Sequence, residues 1–153
     1  MIVEKVLYNI KDRELNKLEA DFVDIEWYEV NKKILHKISS NGVEVGIRNS
    51  EGETLKEGDV LWQEGDKVLI VRIPYCDCIV LKPKNMYEMG KSCYEIGNRH
   101  APLFIEGDEL MTPYDEPLMQ ALIKCGLSPY KKSCKLTTPL GGNPHGPYHS
   151  HSH

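Results

Sequence analysis

The sequence contains no apolar run approaching the length of a membrane span, no lysine/arginine stripe and no Cys-x-x-Cys pair. A transmembrane helix needs about 20 predominantly apolar residues, so none is expected. The amino terminus, Met1-Ile2-Val3-Glu4-Lys5, does not follow the order of regions of a secretory signal. The chain is therefore expected in the cytoplasm and away from membranes. A formal net charge of −4 without a basic stripe argues against nucleic acid as the main partner. The five cysteines, Cys76, Cys78, Cys93, Cys125 and Cys134, are odd in number and scattered, so a disulfide framework is not expected in a reducing compartment. Cys93 and Cys125 fall on apolar faces of expected helices, where cysteine acts as a small hydrophobe. Cys76 and Cys78 are two apart on an expected strand and so face the same way. They could chelate a metal together, but Cys-x-Cys alone is far from a closed zinc site. Also missing are a nucleophile with a paired base, a phosphate loop and a carboxylate pair in a pocket motif. Binding without catalysis is the expectation.

With 153 residues and 41% hydrophobic content, the chain can bury a core as one domain or as two small ones. Residues 1–73 read as all-β. Met1 to Tyr8 is apolar-rich and Asn9 to Ala20 is polar. Val23, Ile25 and Trp27 then alternate with Asp24 and Glu26, as in a half-buried strand. Ile34–Ile38 and Val43–Ile47 flank Asn41-Gly42, a strong hairpin signal. Short strands at Val60–Trp62 and Val68–Ile73 flank a turn at Glu64-Gly65-Asp66. This predicts a small β-barrel or sandwich. His36 stands alone in it as a strand-surface residue.

The pattern changes near Ile73-Pro74-Tyr75. Residues 74–136 read as strand (Cys76–Lys82), helix (Asn85–Ile96), strand (Leu103–Glu106), strand (Glu109–Thr112), helix (Glu116–Cys125) and strand (Tyr130–Leu136). This β-α-β-β-α-β order predicts a ferredoxin-like antiparallel sheet with both helices on one face, making the whole chain α+β. In the first helix Met86, Met89, Cys93 and Ile96 form one line, widened by Tyr87, Gly90 and Tyr94; Glu88, Lys91, Ser92 and Glu95 lie opposite. Asn85 with Glu88 suggests a capping box, and Gly97-Asn98 a left-handed stop that presents His100. Asp115 caps the second helix and Gly126 ends it. From Thr137 to His153, Pro139, Gly141-Gly142, Asn143-Pro144 and Gly146-Pro147 preclude a core and predict a flexible tail.

Six histidines are present, and His145, His149, His151 and His153 crowd into the last nine residues. Neutral imidazole suits nickel, zinc and copper. The tail can also be read as a purification tag, but Tyr148, Ser150 and Ser152 interrupt the run. His100 alone can be read as a surface histidine beside a helix cap. One imidazole is too few for a stable site, which needs about four ligands. A two-fold dimer would bring two copies of His100 together and leave positions for tail histidines. The broad apolar face of the first helix offers a surface for that dimer, unless the face covers its own sheet.

Met89-Gly90, followed by Tyr94-Glu95-Ile96-Gly97-Asn98-Arg99-His100, resembles the Gly-Asn-Arg-His signature of the UreE family of urease accessory proteins. Trp27 with Lys33, Asn41-Gly42, and Leu55 with Gly58-Asp59 and Leu61 resemble the family's first domain. The resemblance implies a nickel metallochaperone. It has a first domain like the peptide-binding domain of Hsp40-type chaperones and a ferredoxin-like second domain for metal binding and dimerisation. It also implies Ni(II) as cargo at the homodimer interface, with Zn(II) or Cu(II) able to bind. Nickel would be delivered to the urease apoprotein through a complex with the urease accessory GTPase. His100 carries over as the central ligand, with His145, His149, His151 and His153 as candidates to complete it. Two departures stand out. Tyr114-Asp115-Glu116-Pro117 lacks the extra histidines some members carry there, and the tail is short, so bulk nickel storage is not expected. Two readings from other classes are a peptide-binding co-chaperone with incidental metal binding and a metal-dependent hydrolase. For the hydrolase no water-activating base stands beside His100.

Overall fold

Hydrophobic alternation and turn chemistry divide the chain into two compact units, Met1–Pro74 and a second beginning at Tyr75. The structure is a computed structural model that describes residues 1–12 and 15–141.

The first unit contains two sheets. One has the order β1 (Ile2–Val3), β5 (Glu44–Arg48), β4 (Ile34–Ile38), and the other β2 (Tyr8–Asn9), β6 (Asp59–Glu64), β7 (Lys67–Arg72), β3 (Glu19–Asp24). Val3, Leu35, Val45 and Ile47 of the first sheet share a core with Val23, Leu61, Leu69 and Val71 of the second. On the second sheet's other side, Val60, Val68 and Ile70 pack with Tyr8, Ile10, Leu18, Ala20 and Phe22. β7 is thus covered on both faces, which explains why Val68-Leu69-Ile70-Val71 is an unbroken apolar run rather than an alternation. Asn41-Gly42 turns β4 into β5, with Gly42 at φ 83, a left-handed angle that glycine takes without a Cβ penalty.

Two expectations for this unit need correction. Asn9 to Ala20 is not merely a polar connection: it contributes β2, short 3-10 turns at Ile10–Asp12 and Leu15–Lys17, and the start of β3. The strand expected around Val23–Trp27 ends earlier, at Asp24. Ile25 donates one more bond to the Arg72 carbonyl, and the amides of Glu29 and Lys32 then turn back onto Glu26 and Glu29. Val23 and Ile25 are fully buried as their alternation implies, but Trp27 lies in the turn, edge-on to Tyr28. The partner strand β7 has run out by then, and β3 pairs with it in parallel register.

The second unit runs β8 (Cys76–Leu81), α1 (Met86–Asn98), β9 (Phe104–Glu106), β10 (Glu109–Pro113), α2 (Glu116–Lys124), β11 (Tyr130–Cys134), with the antiparallel sheet order β11-β8-β10-β9. Ile79, Leu81 and Leu110 face both helices and form a core with Ile96, Leu118, Met119, Leu122 and Leu127. Asn85 accepts from the Glu88 amide, and Asp115 accepts from the Leu118 amide, each at 2.9 Å. Glu88 reaches back to the Lys84 amide, one residue earlier than a capping box places it.

Two differences from the sequence reading matter for the site. Ser92, expected on the polar side of α1, is 1% exposed, its hydroxyl donating to the Glu88 carbonyl. Met86 and Tyr94, expected on the apolar line and its margin, are 89% and 66% exposed. The second difference lies after β11. Leu136 is buried, the Ile105 amide donates to the Thr138 carbonyl, and the Leu140 amide to the Leu103 carbonyl. The chain is therefore held against β9 as far as Leu140, although Thr137 was expected to begin the flexible tail. The rest of that expectation, residues 142–153, lies outside the described residues.

One buried group in this unit stands out. Thr112, opposite Ile79 in the sheet and fully buried, has a hydroxyl without a hydrogen-bond partner. Thr112→Val keeps the shape and removes the unsatisfied group, so it should stabilise the protein by about 1 kcal/mol. Chemical denaturation of parent and variant measures this; a destabilised variant would show that the hydroxyl does bond.

Candidate metal centre

The centre is built from the end of α1. The His100 amide donates to the Gly97 carbonyl at 2.9 Å, and the Ala101 amide to the Ile96 carbonyl at 3.3 Å. This pair of bonds is a Schellman closure, which requires a left-handed residue between the last helical residues and the apolar residue that follows. Ala101 and Ile96 supply the apolar contact in the helix-facing core. The left-handed residue is His100, at φ 55, and it is the only non-glycine with positive φ among the described residues. The expected stop at Gly97-Asn98 is corrected accordingly: the helix continues through both, and Arg99 caps it at φ −93.

The same closure ends α2, where the Gly126 amide donates to Ile123 and the Leu127 amide to Leu122. There the left-handed position is taken by glycine, Gly126, at φ 83. An L-residue in that region costs roughly 1–2 kcal/mol, and histidine is among the few enriched there. At one of two equivalent corners the chain thus carries an exposed imidazole where the backbone favours glycine. Such strain points to a function for the side chain. The carboxyl end of a helix carries the negative end of its dipole, and Arg99, the capping residue next to His100, already places one cation there.

Sequence reasoning located His100 but missed its conformation. The signal was available: Ile96 and Ala101 stand five apart around His100 as Leu122 and Leu127 do around Gly126. Of the five expected ligands, His100 alone is described; His145, His149, His151 and His153 lie outside the described residues. Among the described residues no three or more His, Cys, Asp or Glu side chains are gathered to hold a metal ion. His36 is exposed on β4 in the first unit. The described part of a single chain therefore offers one imidazole at this corner.

From its first turn to Tyr94, α1 turns large apolar side chains outward. Met86 is 89%, Tyr87 73% and Tyr94 66% exposed, and Met89 is also exposed. Ser92 and Ile96 occupy the buried side instead. The small Ser92 lets that side approach its neighbours closely, which leaves the bulky residues outside.

The backbone strain gives a direct test. In the metal-free protein, His100→Gly should be more stable than His100→Ala by about 1 kcal/mol, because only glycine escapes the left-handed penalty. Thermal melting of the two variants with chelator present checks this, and equal stabilities would contradict the left-handed assignment.

Comparison with known proteins agrees with these features. The family model described as the N-terminal domain of the UreE urease accessory protein matches residues 3–74, and that of its C-terminal domain matches residues 76–153. A urease accessory protein UreE of Acetivibrio thermocellus is 87% identical over 153 residues, covering both chains completely. One from Flavobacterium johnsoniae is 39% identical over 99% of this chain and 93% of its own length. Another, from Lysinibacillus sphaericus, is 31% identical over the full length of both. With both domain models matched in order and relatives aligned end to end, the chain belongs to the UreE family of urease accessory proteins.

Proposed function

We propose that this urease accessory protein is a nickel metallochaperone, not an enzyme. It binds Ni(II) at the two-fold axis of a homodimer through His100 of each subunit. The observation that carries the reading is His100 itself, an exposed imidazole held in a strained backbone position beside an uncovered apolar helix face. A dimer through the α1 face of the ferredoxin-like second domain would bury Met86, Tyr87 and Tyr94. It would also supply the second imidazole that one chain lacks. Tail histidines from His145, His149, His151 and His153 would complete the coordination, since flexible imidazoles can fill open positions. Nickel is cargo here: it would pass to the urease apoprotein through a complex with the urease accessory GTPase, in the cytoplasm. Zn(II) or Cu(II) would compete for the same imidazoles.

Calorimetric titration with Ni(II) tests the ligand set. His100→Ala removes two ligands from a dimeric site at once, so the tightest isotherm should vanish while weak tail binding remains. Deleting residues 144–153 should lower affinity or metal count without unfolding the protein. Binding should weaken on acidification in both proteins, because imidazole ligates only when neutral. An unchanged high-affinity isotherm in His100→Ala would overturn the assignment.

The assembly is tested separately. Tyr94→Asp places a charge on the exposed α1 face without touching the core, so the circular dichroism of the folded chain should be retained. Sedimentation should show monomer, and the tight nickel site should be lost with it. A fully dimeric Tyr94→Asp protein with parental nickel affinity would exclude this face as the interface.

A second reading is favoured by one feature of the first unit. Ile2, Ile34 and Ile38 are 71%, 75% and 67% exposed on the outer face of the β1-β5-β4 sheet. Ile2 and Ile34 border a shallow hollow of about 250 Å³ that Gly46 also lines. An extended apolar peptide could add along β4, the end strand of its sheet. This would make the first domain a peptide-binding module of the Hsp40 type, acting alongside the metal site or in its place.

A further inference from the structure

We propose that Cys76 and Cys78 form a second metal site, a two-thiolate grip for a soft monovalent cation such as Cu(I). It is separate from the histidine site and does not depend on the nickel reading. The two residues are two apart on β8 and so point to one face of the sheet, the face opposite Ile79 and the helices. Their sulfurs are 3.7 Å apart, and the Cys78 thiol also approaches the Cys76 carbonyl at 3.4 Å. Two bonds of about 2.3 Å to one cation hold two sulfurs roughly 3.8–4.6 Å apart as the bond angle opens from tetrahedral to linear. The observed spacing falls just short of that range, so the sulfurs must rotate apart, by roughly 0.9 Å for a linear two-coordinate ion with such bonds, to close the site.

The surroundings set the kind of cation. Cys78 is fully buried and Cys76 half-buried, so an ion can reach the pair from the Cys76 side. Burial, then the adjacent Cys76 and Cys134, pushes the Cys78 thiol far above its ordinary range. Two bare thiolates so close together in an apolar setting are unfavourable; a cation between them removes the repulsion while displacing two protons to solvent. Cys134 stands opposite Cys76 in the β8–β11 pairing and is itself buried, which adds sulfur to the same face. Cys134 is adjacent, yet among the described residues no group of three or more His, Cys, Asp or Glu side chains is arranged to hold a metal ion. A zinc ion needing four donors is therefore poorly served, whereas soft thiolates select Cu(I) and bind it with few partners.

The test is anaerobic titration of the full-length protein with Cu(I) against a chromophoric Cu(I) chelator, with the near-ultraviolet thiolate-to-copper absorption recorded. One Cu(I) per chain should bind with that absorption. Cys76→Ser should weaken binding by more than the roughly 10–100-fold that follows loss of an outer partner, because a direct ligand is removed. Cys93→Ser should keep parental Cu(I) affinity. In the unsubstituted protein, bound Cu(I) or Ag(I) should protect Cys76 from alkylation, read by mass spectrometry, which covers the case of a poorly folding variant. Parental affinity in Cys76→Ser, loss of binding in Cys93→Ser, or undiminished alkylation of Cys76 in the metal-loaded protein would overturn the proposal.

Discussion

The second unit depends on how α1 ends. The Schellman closure joins the helix to β9 through two backbone bonds and the Ile96–Ala101 contact, and it demands a left-handed residue between them. That demand falls on His100. The closure stops the helix, directs the chain towards the sheet and holds the imidazole at the negative end of a helix dipole. At the same closure in α2, Gly126 takes the corner and no side chain is presented.

The rotation of α1 is the second constraint. Its apolar residues outnumber the positions its own core can use, because the space against the sheet and α2 is filled by Ile96, Ser92 and the partly buried Cys93. Ser92 pays for its burial by bonding to the carbonyl one turn earlier. Met86, Tyr87 and Tyr94 then remain on the outside, each too large to be indifferent to water. On the reading proposed above, a second copy of the chain would cover this exposed face.

Much of this was legible in the chain itself. Asn85 and Asp115 announce their helices through side chains that bond to amides three residues on, a rule that needs no tertiary information. Asn41-Gly42 marks its hairpin just as locally, because Gly42 takes the left-handed φ of the turn without a Cβ penalty. The order of strands and helices in the second unit, and the change of pattern near Ile73-Pro74-Tyr75, follow from hydrophobic periodicity. The strand around Val23 was misplaced because alternation reports burial, not pairing: Ile25 is buried, yet β3 ends at Asp24, where its partner β7 runs out. Thr138 to Leu140 looked like tail because proline and glycine surround them, and only the open edge of β9 gives them something to bond to.

The sequence by itself determined which segments become helix and strand, where the helices are capped, and that a histidine follows the first helix. These features rest on bonds between residues a few positions apart. Tertiary structure decided which side of α1 faces inward, since amphipathicity gives a direction only when the partner surface is smaller than the apolar face. It also decided that His100 takes the left-handed corner, because Ala101 must reach back to Ile96 within the core. And it decided that Cys134 lies across from Cys76, a pairing 58 residues apart that only the register of β8 and β11 can set.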